Sequence, residues 1–133
     1  MSTERKIYIN NDLDIVMARM QAREMAKHLG FSTADQARIS LAASELARLL
    51  TGEVDYHPGE MVMSQATKNG HAGMQVVCLI PFRQLPGVND TLSGEELFQQ
   101  KQNLAGARQL VDESLLEPYN DKLTRVTLMK WLP

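Results

Sequence analysis

The chain has 133 residues, of which 44% are hydrophobic and 23% charged, a composition typical of one soluble globular domain. Fourteen Lys and Arg against sixteen Asp and Glu leave a formal net charge of −2, which excludes the strongly basic surface of a dedicated nucleic-acid-binding protein. No apolar run reaches the roughly 18–20 residues that span a bilayer, and the N-terminus lacks the apolar segment of a signal peptide. We therefore expect a single cytoplasmic domain over 1–133, with neither nucleic acid nor membrane as a partner.

Cysteine and histidine usage argues against metal chemistry. The single cysteine, Cys78, excludes an intramolecular disulfide and a multi-cysteine zinc site. It lies in an apolar, strand-like run, which favours a buried, inert thiol over a nucleophile. His28, His57 and His71 lack the i, i+4 spacing of a helical zinc site, and we expect each at the end of an element or in a loop.

The first fifty residues predict a strand followed by two helices. Residues 6–10 alternate polar and apolar, and from 12 to 29 apolar residues recur at three- and four-residue steps until Gly30, which is typical of a helix end. Thr33 is the predicted cap of the second helix, with Gln36 completing a capping box, and Gly52 closes the element. The second helix has an apolar stripe and a separate polar face, formed by Arg38, Leu41, Glu45 and Arg48. Simple helical-bundle packing also fits this two-helix start.

The rest of the chain is richer in strands. Runs at 60–67 and 73–80 are separated by Lys68-Asn-Gly70, a hairpin signal. A loop from Asp90 and a helix from Glu95 to about Glu113, irregular around 103–106, precede a last strand over 122–131. The order β-α-α-β-β-α-β predicts an α/β (α+β) fold, a two-layer sandwich with helices on one face of a mixed, mainly antiparallel sheet.

Four segments carry a family resemblance. Residues 11–19, 30–39 and 44–48, together with Thr127-Leu-Met-Lys-Trp-Leu132, resemble the anti-sigma-factor and stress-switch serine kinases of the GHKL (Bergerat-fold, histidine-kinase-like) ATPase superfamily. The resemblance implies the histidine-kinase-like ATPase fold, with ATP held between the helices and a lid. It is strongest over residues 7–50.

The first motif that the resemblance implies pairs a glutamate, the catalytic base or orienting group, with an asparagine four residues later that holds Mg²⁺. Glu45 matches the glutamate, but Leu49 stands at the asparagine position. A leucine side chain offers no oxygen to a cation that prefers oxygen ligands. Metal binding through this position is therefore expected to be lost.

The second motif, Asp-x-Gly-x-Gly, recognises adenine in the family. Arg83-Gln-Leu-Pro-Gly-Val88 resembles it, so Gly87 matches the second glycine, whereas Arg83 and Leu85 replace the aspartate and the first glycine. A guanidinium has only donors and cannot accept a hydrogen bond from the adenine amino group.

The third motif is a glycine lid over the phosphates. The segment 104–113 resembles the residues that follow it, and Gly106 matches a family glycine, but Lys101 and Asn103 stand where the lid glycines would be. Thr124, on the final strand, matches a phosphate-facing position, although high β propensity alone also explains a threonine there.

These departures predict a kinase-like switch protein that works by protein binding, with a degenerate ATP site and no cofactor. The partners that the resemblance implies are a STAS-domain antagonist or scaffold protein and a sigma factor or PP2C-type phosphatase, and a dimer is possible. The alternative is an active ATP- and Mg²⁺-dependent serine kinase with Glu45 as catalytic residue and Gly87, Gly106 and Thr124 at the nucleotide. A third possibility is a dimerisation subunit of an active kinase.

Overall fold

The computed structural model describes residues 4–50, 59–81, 104–120 and 123–133. In chain order the elements are β1 (Arg5–Ile9), α1 (Asp12–Leu29), α2 (Thr33–Arg48), β2 (Gly59–Lys68), β3 (His71–Pro81), a helical segment at 104–109, β4 (Glu113–Pro118) and β5 (Leu123–Trp131). Within these ranges, no helix is both long and apolar enough to cross a membrane.

Helix α1 matches its predicted bounds because both ends carry strong signals. Asn11 caps the N-terminus by accepting a hydrogen bond from the Asp14 backbone N–H, and the Asp14 carboxylate accepts one from the Asn10 N–H. At the other end Gly30 adopts a left-handed conformation, with φ 99°, that only glycine reaches at little strain.

The predicted cap of α2 was wrong by one residue. Ser32, not Thr33, is the N-cap, and its hydroxyl accepts a hydrogen bond from the Asp35 backbone N–H. Gln36 does not complete a capping box with Thr33, because its side-chain amide donates to the carbonyl of Phe31. The helix ends at Arg48 with Leu49 as C-cap, and the predicted terminator Gly52 lies outside the described residues.

The predicted hairpin is confirmed. Strands β2 and β3 are antiparallel, with Lys68 opposite His71, and both turn residues have positive φ, 51° at Asn69 and 82° at Gly70. Positive φ at both central residues is the requirement of the turn type that matches strand twist.

The third helical prediction was wrong at its C-terminal end. Helical residues 104–109 are followed by a strand, so Glu113 begins β4 and does not end a helix. The strand forms because its backbone pairs with β5 in register, Glu113 opposite Met129 and Pro118 opposite Thr124. The predicted start of this helix, Glu95, lies outside the described residues.

The five strands form one sheet in the order β1-β2-β3-β5-β4, and all four described pairings are antiparallel. The sheet residues that face the helices alternate along the strands and form the core with the apolar sides of α1 and α2; they include Met61, Met63, Val76, Cys78, Ile80, Val126 and Leu128. This arrangement confirms the predicted α+β fold with helices over one face of the sheet.

Candidate functional site

The polar face of α2 is the part of the candidate nucleotide site that the structure describes best. Glu45 accepts a hydrogen bond from Arg48, with 2.5 Å between Oε1 and Nη1. The Glu45 side chain is mostly covered, and the Arg48 side chain is about half exposed. Arg38 and Asp35 form a similar ion pair nearer the start of α2, with 2.8 Å between Nη1 and Oδ1. The predicted face is thus a row of ion pairs along the helix, and the Glu45 carboxylate already has a cationic partner.

Leu49 lies in the core and does not face this row. Its side chain is 1% exposed, and its backbone N–H donates to the Leu46 carbonyl at 3.1 Å, which tightens the last turn of α2. Leu50 is equally buried and packs on Gly59, where an added β-carbon would lie 2.6 Å from the Leu50 Cβ. An apolar side chain at position 49 gives Mg²⁺ no ligand. Among the described residues, no three His, Cys, Asp or Glu side chains are placed to hold a metal. These residues therefore do not fit the Mg²⁺ that the family motif binds.

Thr124 lies at the same end of the sheet as the C-terminus of α2. It is buried at the start of β5, opposite Ile80 of β3 and Pro118 of β4. Leu50, just after α2, packs on Gly59 of β2. Because Met61 pairs with Cys78 in an antiparallel register, Gly59 lies at the same end of the sheet as Ile80, which pairs with Thr124. The fold therefore places Thr124 and the Glu45 end of α2 at the same end of the sheet.

The glycine positions are described only in part. Gly106 lies in the helical segment 104–109, and a β-carbon there would meet no atom of the described residues within 4 Å. The described part of its surroundings therefore does not require a glycine. Gly87 lies outside the described residues, as do Arg83, Leu85, Lys101 and Asn103, so their predicted roles remain predictions.

Cys78 and two of the three histidines lie where the sequence predicts. Cys78 is buried in β3, and burial raises the pKa of its thiol far above the ordinary value, so it remains a protonated, inert core residue. His28 is in the last turn of α1 and His71 is the first residue of β3, whereas His57 lies outside the described residues.

A polar cluster at the opposite end of the sheet was missed by the sequence analysis. Lys130 Nζ lies 3.7 Å from Asp35 Oδ1 and 3.1 Å from Asp112 Oδ1, so one lysine joins the start of α2 to the residues before β4. Lys68 and the Trp131 indole N–H both donate to Glu113, at 2.8 and 2.5 Å. These groups border an open cavity of about 650 Å³. The sequence contains one indication of this cluster: Lys130 follows the buried Val126 and Leu128 at two-residue steps, so it lies on the same face of β5 as these core residues.

The polar cluster favours the ionised form of two carboxylates, those of Asp112 and Glu113. Burial opposes ionisation of Asp112, but hydrogen bonds from the Trp131 backbone N–H and from Lys130 outweigh it and lower the Asp112 pKa. Hydrogen bonds from Lys68 and Trp131 lower the pKa of Glu113. Because every charge is paired within the cluster, these contacts explain how α2, β4 and β5 are held together and point to no ligand.

Comparison with known proteins identifies the family. No family model matches the chain. The chain is 32% identical to the serine/threonine-protein kinase RsbT of Bacillus subtilis (strain 168) over 139 aligned positions, covering 99% of each.

A solved structure shows the same fold. The chain matches the crystal structure of the RsbU and RsbW domains of a Mycobacterium tuberculosis protein with a TM-score of 0.59 and 22% identity, over 98% of this chain and 33% of the other. The chain thus spans about a third of that larger protein. The full-length match to the kinase shows that this chain belongs to the anti-sigma-factor and stress-switch serine kinase family of the GHKL superfamily.

Proposed function

We propose that this protein is a regulatory, kinase-like switch protein of bacterial sigma-factor or stress signalling, which acts by binding other proteins and has a degenerate ATP site. Membership of the kinase family supports the coarser part, a partner-switching regulator. The loss of nucleotide chemistry is the finer part, and it rests on the residues of this chain.

The observation that carries the proposal is the burial of Leu49. The family motif needs an oxygen ligand four residues after the glutamate, and this chain has there an apolar side chain that is 1% exposed. Because Leu49 is part of the core, the position cannot turn toward a nucleotide without opening a cavity. The replacements at Arg83, Leu85, Lys101 and Asn103 support the same conclusion from the sequence.

The alternative is an active serine kinase that uses ATP and Mg²⁺ and phosphorylates a STAS-domain antagonist. Glu45 favours it, because the family's carboxylate is retained on the polar face of α2, where its side chain is 24% exposed. Thr124 at the same end of the sheet would then lie near the nucleotide, with Gly87 and Gly106 in the flanking motifs.

The partners we propose are a STAS-domain antagonist or scaffold protein and, as the regulated target, a sigma factor or a PP2C-type phosphatase, all in the cytoplasm. Their support is the full-length match to a kinase of this family. A switch of this kind works by exchange of partners, since each partner stabilises the complex that it binds best.

The test is to measure binding to each STAS-domain protein encoded in the same genome, by calorimetry, with and without Mg-ATP. We expect at least one partner to bind with an affinity that Mg-ATP does not change, and mass spectrometry to detect no added phosphoryl group on it. Phosphorylation of that partner by the wild type, lost in Glu45→Gln, would establish the alternative. Failure of every STAS-domain protein, sigma factor and PP2C-type phosphatase of that genome to bind would overturn the proposed function.

A further inference from the structure

Strand β4 forms one edge of the sheet, and the hydrogen-bond pattern shows which of its backbone groups face outward. It pairs with β5 on one side, and in the part of the chain that the structure describes no strand pairs with its other side. The Tyr119 N–H donates to the Leu123 carbonyl at 3.0 Å, which makes these two residues a hydrogen-bonded pair of the antiparallel ladder. Because such pairs recur at every second residue, the backbone N–H and C=O groups of Ser114 and Leu116 point away from β5.

The outward-facing backbone groups lie among exposed apolar side chains. Leu115 is 51% exposed on the sheet face away from the helices, opposite Thr127, and Leu116 is 39% exposed on the helix side, opposite Val126. Pro118 also faces outward, where its missing N–H costs no bond to β5. An exposed edge of this kind is a template for pairing with another strand. The centre of β4 therefore offers both a free backbone ladder and apolar contacts on each side of it.

The charges of β4 determine which strand can pair with it. Both charged residues of β4 are acidic, and Glu113 already accepts a hydrogen bond from Lys68. Glu117 forms no ion pair with any described residue. Its cross-strand neighbour Arg125 lies instead over the Tyr119 ring, 5.2 Å from the ring centroid. The Glu117 carboxylate is therefore open to a cation from outside the chain.

A second copy of β4 does not suit this edge. Antiparallel pairing of two β4 strands centred on Leu115 would place Glu117 of each copy directly opposite Glu113 of the other. Like charges directly opposite each other in a ladder are destabilising. The strand at the other edge, β1, differs from β4, because its charged residues Arg5 and Lys6 both form ion pairs within the chain.

We propose that β4 binds an extended segment of a protein partner as an added strand, with a lysine or arginine opposite Glu117 and apolar side chains opposite Leu115 and Leu116. Main-chain hydrogen bonds to Ser114 and Leu116 supply affinity, and the side chains that face the edge supply specificity. An acidic segment is repelled by Glu117. The inference rests on the proposed function, because it names a surface through which the switch protein binds and the chemistry of the segment that it accepts.

The first experiment is amide hydrogen exchange, followed residue by residue by NMR. In the free protein the amides of Ser114 and Leu116 should exchange about tenfold faster than those of Leu115 and Glu117, which donate to β5. Binding of the partner found in the calorimetric screen above should slow exchange at Ser114 and Leu116 about tenfold, and at Leu115 and Glu117 clearly less. This alternation is specific to strand addition, because contact through side chains alone does not distinguish alternate amides.

The second experiment separates the backbone from the side chains by measuring affinity for the same partner. Leu116→Pro removes an outward N–H but no bond to β5, and it should weaken binding about thirtyfold. The matched control Leu116→Ala keeps this N–H and should bind within about fivefold of wild type. Glu117→Lys should weaken binding about tenfold at low salt and much less at high salt, since exposed charges are screened. Urea denaturation checks that each variant is folded; if Leu116→Pro is not, the exchange pattern and Glu117→Lys decide.

Each contrary result points to a different conclusion. If a partner binds the wild type but does not slow exchange at Ser114 and Leu116, or binds Leu116→Pro and Glu117→Lys as tightly, only this inference fails. Equal protection of Leu115 and Leu116 in the free protein would also refute it, because the edge would already be covered. If no partner binds the wild type, the proposed function fails as well. Sedimentation that shows wild-type assemblies dispersed by Leu116→Pro would assign the edge to a second copy and overturn the assignment to a different protein.

Discussion

Replacing Leu49 by asparagine restores the residue type that the family uses for Mg²⁺, and we expect it to destabilise the fold instead of restoring the site. The Leu49 side chain is 1% exposed, so its removal loses about 1.5–3 kcal/mol of apolar burial. Burying an amide in an apolar core adds about 1–3 kcal/mol. The expected loss is therefore about 2.5–6 kcal/mol, a large part of the roughly 5–15 kcal/mol that holds a domain of this size folded.

Urea denaturation followed by the fluorescence of Trp131, the single tryptophan, measures this loss. Two control variants show whether a loss of unfolding free energy comes from the burial of position 49 or from the change of residue type alone. Leu41→Asn, on the same helix but 45% exposed, should change the unfolding free energy by about 0.5 kcal/mol or less. Leu49→Met, which keeps volume and polarity, should cost less than about 1.5 kcal/mol. A Leu49→Asn protein within about 1 kcal/mol of wild type would refute the reasoning, because position 49 would then face solvent, where an asparagine could bind metal.

Four further substitutions test the fold around the end of the sheet where Lys130 joins α2 to the residues before β4. Ser32→Ala should lower the unfolding free energy by about 1 kcal/mol and Thr33→Ala by clearly less, because Ser32 is the cap; equal losses in urea denaturation would place the cap at Thr33. Gly73→Ala should destabilise by about 1–3 kcal/mol, because a β-carbon there would overlap the Lys130 carbonyl oxygen and the Trp131 ring; an unchanged urea midpoint would contradict that close approach. The pKa of Asp112 is lowered in the folded protein, so the contribution of its carboxylate to stability is complete above the ordinary value of 3.8 and is lost as the pH falls through the folded value. The melting temperature of Asp112→Asn should therefore fall less than that of wild type between pH 5 and pH 2.5. Parallel melting curves for the two proteins would contradict the pairing of Asp112.

The elements with strong local signals could be predicted from the sequence. Helix α1 has a cap, a three-and-four-residue apolar period and a terminal Gly30, and the β2–β3 hairpin has Asn69-Gly70 between alternating strands. Each of these signals acts within a few residues, so the element can be predicted from its local sequence without knowledge of its tertiary contacts.

Strand β4 could not be predicted, because its sequence carries no strand pattern. Glu-Ser-Leu-Leu-Glu-Pro has good helix formers and no alternation, and most of its residues are exposed at the edge of the sheet. What makes it a strand is its pairing with β5, a contact that the local sequence does not encode.

The candidate site was predictable in its residues but not in its geometry. The ion-paired face of α2 follows from helical spacing, and the departure at Leu49 follows from the motif. The depth to which Leu49 is buried depends on where α2 ends over the sheet. The Lys130 contacts with Asp35 and Asp112 likewise join parts of the chain that only the fold brings together.

Calorimetric titration of the wild-type protein with Mg-ATP tests the central claim most directly. Because Leu49 provides no ligand and lies in the core, we predict no detectable heat of binding at nucleotide concentrations that saturate active kinases. Micromolar binding of Mg-ATP, abolished by chelation of the metal, would contradict a degenerate site and support the alternative, an active serine kinase.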